Sequence, residues 1–206
     1  MDNIVLGANT PLLHTAIVSP SWVMGVSPSA THPTPLTFPD LLQLVKSSDS
    51  GATISKGVNR LSFVNVQDLA RLYTSRVGDA LKRLQTGVHD MDGPVEVWGP
   101  KAYFFGGSIE ASGRELMTEH LLPALKLSNA SYPSSDEIKE ITLDAALDAV
   151  LERLGADAKP EHNRWRVEQY AVSMRVRGSR AERAFGFEWT GGDAGIAEAV
   201  KAFFRR

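Results

Sequence analysis

The clearest change of hydrophobic period in the chain lies between residues 56 and 84. Residues 61–66 form a short apolar run with the composition of a β-strand. From Asp68 onward the apolar residues recur at helical spacing, at Leu69, Leu72, Tyr73, Val77, Leu81 and Leu84. The pattern therefore predicts a strand followed at once by a helix over residues 68–84, with the Asp68 carboxylate capping the helix start and Gly87 near its end.

Apolar runs elsewhere predict further short strands at residues 15–19, 95–98, 102–105 and 137–142. The run at 15–19 shows no alternation, which favours a strand covered on both faces, as in a parallel sheet. Residues 2–13 suit the end of a helix, and residues 20–39 carry five prolines and predict a long loop. A turn is expected at residues 47–51 and a polar loop at residues 89–94.

Helix signals occur at several other places along the chain. Residues 38–45 predict a short helix with Pro39 in its first turn. Capping-box spacing occurs at Ser112 with Glu115 and at Ser179 with Glu182, while Thr142 can cap a helix that ends before Gly155. Pro123 is expected to interrupt the helix after Ser112. Residues 165–174 are amphipathic and remain open, and Ile196, Val200, Phe203 and Phe204 give a final helix its apolar face.

Composition limits the class of protein. The chain has 206 residues, 43% of them hydrophobic, which is enough for one sizeable core, and we expect a single domain over residues 1–206. A net charge of −2 gives no general attraction to nucleic acid or to an anionic membrane. The chain has no cysteine, which excludes disulfides and thiolate zinc sites. No apolar run is long enough to cross a bilayer and no signal peptide is evident, so the expected location is the cytoplasm.

No catalytic motif is complete. Gly-rich phosphate-binding loops and the Gly-x-Ser-x-Gly motif are absent, and the five histidines are scattered, so no metal site is expected. Trp22 follows the first strand, where it is either a ligand contact or simply part of the core. Asn65 is either a turn residue or, with Arg60, a side chain facing a pocket. The basic cluster of Arg175, Arg177, Arg180 and Arg183 is read as a solvated face or as an anion-binding corner.

Several stretches, in order, resemble the C-terminal portion of extended short-chain dehydrogenases, in particular the fungal NAD(P)-binding epimerase-like proteins. TAIVSPSWVMG at residues 15–25 resembles the family's strand and Pro-x-x-x-Tyr-Gly loop. KGVNRLSFVNVQDLARLY at residues 56–73 resembles its Val-His-Val-x-Asp-Leu block, with Asn65 in place of the usual histidine. Residues 102–116, 137–147 and 173–189 resemble the blocks that follow.

The resemblance implies an α/β fold, as an incomplete doubly wound, Rossmann-like sheet with a C-terminal α+β substrate-binding region. The nucleotide-binding half that carries the Gly-rich loop and the Tyr-x-x-x-Lys pair in the family has no counterpart in this sequence. It also implies that Pro20, Ser21 and Val23 pass the nicotinamide end of NAD(P), with Met24 where tyrosine is usual. Arg60, Asn65 and Arg175 would then contact a small-molecule substrate.

Two functions remain open at this point. The chain could be part of an NAD(P)-dependent epimerase, dehydratase or reductase that does not catalyse by itself, because hydride chemistry needs a held cofactor and a placed proton donor. It could instead be a non-catalytic binding or redox-sensing regulatory module of the same descent. In either case an unpaired side of the strand at 15–19 would favour self-association through the sheet edge.

Overall fold

The computed structural model describes residues 2–10, 12–29, 31, 33–86 and 95–204. The predicted cap at Gly87 and the predicted polar loop at 89–94 lie outside these ranges. The strands are β1 (Ile17–Pro20), β2 (Trp22–Met24), β3 (Gly51–Ile54), β4 (Arg60–Asn65), β5 (Tyr103–Gly106), β6 (Ile109–Ser112) and β7 (Ile138–Ile141). The helices up to residue 127 are α1 (Asp2–Gly7), α2 (Phe38–Ser48), α3 (Val66–Thr86), α4 (Gly113–Glu115) and, after a π-helical stretch at Leu116–Leu121, α5 (Leu122–Leu127). The later helices are α6 (Leu143–Leu154), α7 (Pro160–Asn163), α8 (Trp165–Ala171), α9 (Ser179–Phe185) and α10 (Ala194–Phe204).

The strands form three small sheets, and three of the four strand pairs are parallel. Strands β1 and β5 pair in parallel, as do β2 with β4 and β3 with β7, while β6 pairs antiparallel with β4. Parallel strands alternating with helices give an α/β fold, as expected from the sequence.

The buried apolar residues form two clusters, which we name by their elements. The main core joins β2, β3, β4 and β6 to α2, α5, α6, α8 and α10 through fully buried side chains such as Phe38, Phe63 and Leu125. The open layer consists of β1, β5, α3 and α9, with Leu72, Phe104 and Phe187 at its centre, and α1 lies against β1. Trp22 belongs to the main core, where its ring meets Phe63 and Tyr170 edge to face.

Local sequence patterns predicted the starts of two helices correctly. The reciprocal bonds of the Ser112–Glu115 capping box are both present, and the Thr142 hydroxyl accepts the Ala145 N–H. The second capping box is wrong: α9 begins at Ser179 with Gly178 as its cap, and no side chain caps it. Pro123 does not interrupt its helix, because the π-helical turn before it leads into α5 with the proline in the first turn.

Other differences involve tertiary pairing. The proline-rich loop contains strand β2, and strands β3 and β6 occur where no strand was expected. Residues 95–98 form no strand. Strand β1 is half-buried rather than covered on both faces: the Tyr103 hydroxyl of its neighbour β5 donates to Asp2 of α1, but no side chain of α1 is buried.

The start of α3 also differs from the prediction. The helix begins at Val66, and the Asn65 side chain accepts the Gln67 N–H over 2.9 Å, so Asn65 is the capping residue. Asp68 lies inside the first turn and is buried. Of the predicted apolar face, Leu72 is fully buried, but Tyr73, Val77, Leu81 and Leu84 are exposed, because the face that packs inward carries Asp68, Leu72 and Arg76.

Candidate functional site

The candidate site lies where the parallel strands β1 and β5 end. The register sets Pro20 opposite Gly106, and the Ser21 N–H donates to the Gly106 carbonyl over 2.7 Å. In open α/β sheets, ligands bind beyond the carboxyl ends of the strands. The side chains that follow these two ends are therefore the first place to look for ligand contacts.

Ser21 is the unusual residue at this edge. Its side chain is 7% exposed, and its Oγ is buried with no hydrogen-bond partner among the described residues. An unpaired buried hydroxyl costs about 1–3 kcal/mol, so such groups are rare unless something else bonds to them. Ser128, at the end of α5, is a second buried hydroxyl without a partner. Burial without a partner therefore does not by itself indicate a ligand contact; at Ser21 the additional observation is its position at the strand ends.

The other two predicted cofactor contacts flank Ser21. Pro20 is exposed at the last position of β1, and Val23 is half-buried in β2, paired with Val64. Met24, where the resembled family has tyrosine, is buried in the main core. The three predicted residues thus lie together, along the connection between β1 and β2.

The predicted substrate residues fall into two separate places. Arg60 donates to one oxygen of Glu110 over 2.5 Å, and Arg175 donates to the other over 3.0 Å. Arg60 also pairs with Glu115 at 3.3 Å. The hydrogen bonds from Arg175 and Arg60 hold the pKa of Glu110 below its usual range. Two guanidinium groups therefore meet two carboxylates, and the cluster is close to neutral.

Asn65 lies at the far end of the same strand. It lies five positions after Arg60, which corresponds to about 17 Å along β4. Three glycines pack closely around it, and a Cβ added at Gly191 would come within 2.3 Å of the Asn65 Cβ. Gly25 and Gly195 approach the Asn65 side chain as well. Asn65 is thus enclosed by backbone and caps α3, while Arg60 and Arg175 stand together elsewhere.

Asp68 is a polar centre whose contacts the sequence did not indicate. Its carboxylate accepts hydrogen bonds from the Arg71 guanidinium at 2.5 Å, the Gly191 N–H at 2.9 Å and the Thr190 hydroxyl at 3.1 Å. Burial opposes its ionisation, but these donors outweigh burial and lower the pKa of Asp68. The carboxylate is satisfied, so its role is to tie α3 to residues 190–191.

Arg76 is the second polar group that sequence reasoning missed. Its guanidinium lies over the rings of Trp98 at 4.1 Å and Phe104 at 4.6 Å, and its Nη2 donates to the Val97 carbonyl. Its Nε and Nη1 are buried without a hydrogen-bond partner among the described residues. Burial lowers the pKa of Arg76 to about 10. Asp68, Leu72 and Arg76 lie four residues apart, which places all three on one face of the helix. In the sequence, the signal is a charged residue on either side of a leucine at this spacing.

A small cavity in the main core is too small for a substrate. It has a volume of about 20 Å³ and lies between α2, β3 and β4, where Thr53, Asn59 and Tyr170 are among its lining residues. Ligand pockets usually have several hundred Å³, and this volume holds about one water. The Tyr170 hydroxyl donates to the Thr37 carbonyl over 2.7 Å and is not free for chemistry.

Membrane-spanning helices and clusters of metal-ligating side chains are both absent from the described ranges. No described helix combines the length and the apolar character needed to cross a bilayer. Across the same residues, no three His, Asp or Glu side chains come together as metal ligands.

Comparison with known proteins gives distant structural likeness. No protein-family model matches the chain, and no curated protein matches it. An NAD-dependent NDP-hexosamine 5,6-dehydratase of tunicamycin biosynthesis, TunA, superposes at a TM-score of 0.48 with 13% identity, covering 93% of this chain and 46% of that one. RMD from Pseudomonas aeruginosa, solved with NADPH, gives a TM-score of 0.49 with 11% identity, covering 98% of this chain and 52% of that one.

A UDP-glucuronic acid 4-epimerase from Bacillus cereus, solved with UDP-glucuronic acid and NAD, gives a TM-score of 0.47 with 12% identity. The match covers 91% of this chain and 45% of that one. The chain spans about half the length of these solved structures. At such identities and TM-scores, the likeness assigns neither a family nor a function to this chain.

Proposed function

We propose that this chain is the substrate-side part of an NAD(P)-dependent epimerase, dehydratase or reductase-like fold, and that it does not catalyse by itself. The observation that carries the proposal is the Ser21 hydroxyl, which is buried and unpartnered beyond the carboxyl end of parallel strand β1. The order of sequence blocks that resemble extended short-chain dehydrogenases supports the same proposal.

The residues at the strand ends fit one end of a dinucleotide. Once the groups that bury it move aside, the Ser21 hydroxyl can donate to or accept from a carboxamide, and Pro20 and Val23 offer apolar contact beside it. When bound, NAD(P) supplies a hydride acceptor or donor. The sequence contains neither a Gly-rich loop to hold the pyrophosphate nor a Tyr-x-x-x-Lys pair to move a proton. We therefore expect weak binding of the nicotinamide end and no turnover.

For the substrate we propose an anionic small molecule that meets the cluster of Arg60 and Arg175. Arg175 uses its Nε on Glu110, and its side chain is 63% exposed. Its Nη groups remain available within the described part of the chain, and a phosphate or carboxylate fits their planar geometry. Asn65 would contact a substrate only after a shift of the glycines around it.

Three further expectations accompany this proposal. We propose that residues 1–206 fold as one domain in the cytoplasm, which predicts a single cooperative unfolding transition. We also propose that the chain self-associates through the open edge of β1.

The test is a thermal-stability titration with NADH and NADPH, because a ligand at 100 times its Kd stabilises a protein by about 2.7 kcal/mol. We expect the melting temperature to rise at millimolar cofactor, and the rise to disappear in Ser21→Ala. Ser128→Ala is the matched control, since it removes a buried, unpartnered hydroxyl at the end of α5. No shift with either cofactor, or equal shifts in both variants, would contradict cofactor binding at Ser21. Binding without any turnover would agree equally with a regulatory module.

A further inference from the structure

Glu110 holds the two arginines of the proposed anion site together. Its Oε1 accepts the Arg60 Nε–H over 2.5 Å, and its Oε2 accepts the Arg175 Nε–H over 3.0 Å. Within the described part of the chain, the Glu110 side chain makes no other hydrogen bond. A carboxylate of the chain itself therefore lies between the two guanidinium groups that the proposed function assigns to the anionic group of a substrate.

Strand geometry explains why these three side chains meet. Glu110 lies opposite Ser62 in the antiparallel pair of β6 with β4, and residues opposite each other point to the same face of a sheet. Arg60, two positions before Ser62, points to that face as well. Next to β4, the Val176 N–H donates to the Ser62 hydroxyl, which brings the preceding residue, Arg175, beside Glu110.

The same face of β4 leads towards the strand ends that precede Ser21. Val64, four positions after Arg60, points to this face and is fully buried. A Cβ added at Gly106 would lie 3.8 Å from the Val64 Cγ2 and 3.6 Å from the Pro20 Cα. The backbone of Arg60 therefore lies about 13 Å along β4 from the residue next to these strand ends. A ligand of that length meets both places, so the group that occupies the space between the arginines affects the proposed function.

The neighbouring carboxylate, Glu115, is fixed in a way that Glu110 is not. The Glu115 Oε2 accepts the Ser112 backbone N–H over 2.6 Å in the capping box, and it pairs with the Arg60 Nη1 at 3.3 Å. Releasing Glu115 would leave a helix start without its cap. Releasing Glu110 breaks contacts with side chains alone, and Arg60 keeps Glu115 as its partner. Glu110 is therefore the carboxylate that a competing anion displaces.

The charge of Glu110 decides which anions compete with it. At neutral pH the side chain is ionised, because the hydrogen bonds from Arg175 and Arg60 hold the pKa of Glu110 below its usual range. A monocarboxylate offers the arginines only what Glu110 already provides, and Glu110 is tethered at a high effective concentration. A phosphate carries more charge and a third oxygen, and guanidinium groups bind it in a bidentate manner. Phosphate therefore exchanges with Glu110, whereas a monocarboxylate does not.

We propose that Glu110 is the specificity-determining residue of this site: it occupies the space between Arg60 and Arg175 and admits phosphate or diphosphate groups in exchange for its own carboxylate. This inference rests on the proposed function and narrows its anionic substrate to a phosphorylated small molecule. The wild-type site binds an anion less tightly than the same site without the Glu110 charge, because each bound phosphate first breaks the two hydrogen bonds of Glu110.

Isothermal titration with inorganic pyrophosphate at constant ionic strength tests the exchange. We expect pyrophosphate to bind the wild-type chain and to bind Glu110→Gln at least tenfold more tightly, because the neutral amide no longer competes. Glu140→Gln is the matched control, since it removes the same charge from an exposed pair with Arg114 at 3.4 Å. Its affinity should equal that of the wild-type chain, and Arg175→Gln should lose binding.

A comparison of anions on the wild-type chain needs no substitution at Glu110. We expect inorganic phosphate to raise the melting temperature and acetate at the same ionic strength to leave it unchanged, both measured against Arg175→Gln to subtract general salt effects. In Glu110→Gln, acetate should raise the melting temperature as well. Glu110 is partly exposed and bonds only to side chains, so circular dichroism should show this variant folded.

Each remaining outcome overturns a defined part of the idea. Equal pyrophosphate affinity of the wild-type chain and Glu110→Gln, with binding lost in Arg175→Gln, would keep the anion site and overturn the role of Glu110. Equal strengthening by Glu110→Gln and Glu140→Gln would assign the effect to net charge and overturn that role as well. Acetate that binds the wild-type chain as tightly as phosphate would overturn the selection of phosphate. Pyrophosphate that binds none of these chains, or that still binds Arg175→Gln, would instead contradict the anion site of the proposed function itself.

Discussion

The main core and the open layer contain similar apolar residues, but in the open layer several of these residues are exposed to solvent. In the main core, helices cover the sheets and the apolar side chains Phe38, Leu41 and Leu125 are at most 2% exposed. In the open layer, one face of α3 is buried at Leu72, while the apolar residues Tyr73, Val77, Leu81 and Leu84 of the same helix are exposed. The comparison teaches that apolar periodicity predicts which residues can be buried, and that the number of neighbouring elements decides which of them are.

The main core should depend most strongly on a buried ion pair. Asp40 is fully buried on α2, where Arg166 donates to it over 2.9 Å and Arg153 through both Nε and Nη2. Removing one partner from a buried pair costs about 3–5 kcal/mol, and the lower end applies here because the two remaining arginines, Arg153 and Arg166, are 28% and 13% exposed. We expect Asp40→Ala to lower the free energy of unfolding by that amount in urea denaturation.

The matched control for this prediction is Asp136→Ala. Asp136 pairs with Lys126, and its side chain is 66% exposed. Exposed pairs contribute at most about 1 kcal/mol. If both substitutions cost the same, the buried pair does not hold α2 against α6 and α8 as we describe.

Within the open layer, two leucines on the same helix should behave differently. Leu72→Ala should destabilise by about 2–4 kcal/mol, because it leaves a cavity beside Phe104. Leu81→Ala should cost less than about 0.5 kcal/mol in the monomer, because Leu81 is 54% exposed. The measurement is urea denaturation at sub-micromolar protein. A large loss at Leu81 under these conditions would mean that the Leu81 side chain is covered within one chain.

Asp68 links the open layer to residues 190–191, and its contribution should depend on pH. Its pKa in the folded chain is below the usual value of 3.8, so its stabilisation is fully present above that pH. It is lost as pH falls through the folded pKa. We expect Asp68→Asn to cost about 1–3 kcal/mol at pH 7, and the difference from wild type to shrink below pH 4.

Asp144→Asn serves as the comparison for the pH series, since the Asp144 side chain is 81% exposed. Its stability curve should follow that of the wild-type chain. A constant difference between Asp68→Asn and wild type from pH 7 to pH 3 would contradict the stabilising charge at Asp68.

The smallest expected effect is at Ser21, where the main core meets the open layer. Without ligand, Ser21→Ala should raise the free energy of unfolding by about 1 kcal/mol, because it removes an unpaired buried hydroxyl. Thermal denaturation measures the change. A loss of stability instead would show that the hydroxyl already has a partner in the free protein.

The fold was predictable from sequence where the signal is local. The period change at β4 and α3, the cap at Thr142 and the capping box at Ser112 each depend on a few neighbouring residues. Strand β2 was not predictable, because three residues among prolines become a strand only by pairing with β4. Ser179 failed as a cap because Gly178 occupies the cap position.

The candidate site shows the same division. Pro20, Ser21 and Val23 are close in sequence and lie together in the structure. Arg60 and Arg175 meet only through Glu110, which is 50 residues from one and 65 from the other. No periodicity encodes such a contact, so the neutral character of that cluster required the folded chain.

The central claim is that the main core is complete in one chain, whereas the open edge of β1 is covered by the self-association that we propose. Hydrogen exchange followed by mass spectrometry at two protein concentrations tests it most directly. The account predicts that backbone amides of β1 are protected at tens of micromolar and lose protection on dilution below the dissociation constant, while β4 stays protected at both. Equal protection of β1 and β4 at every concentration would contradict the claim.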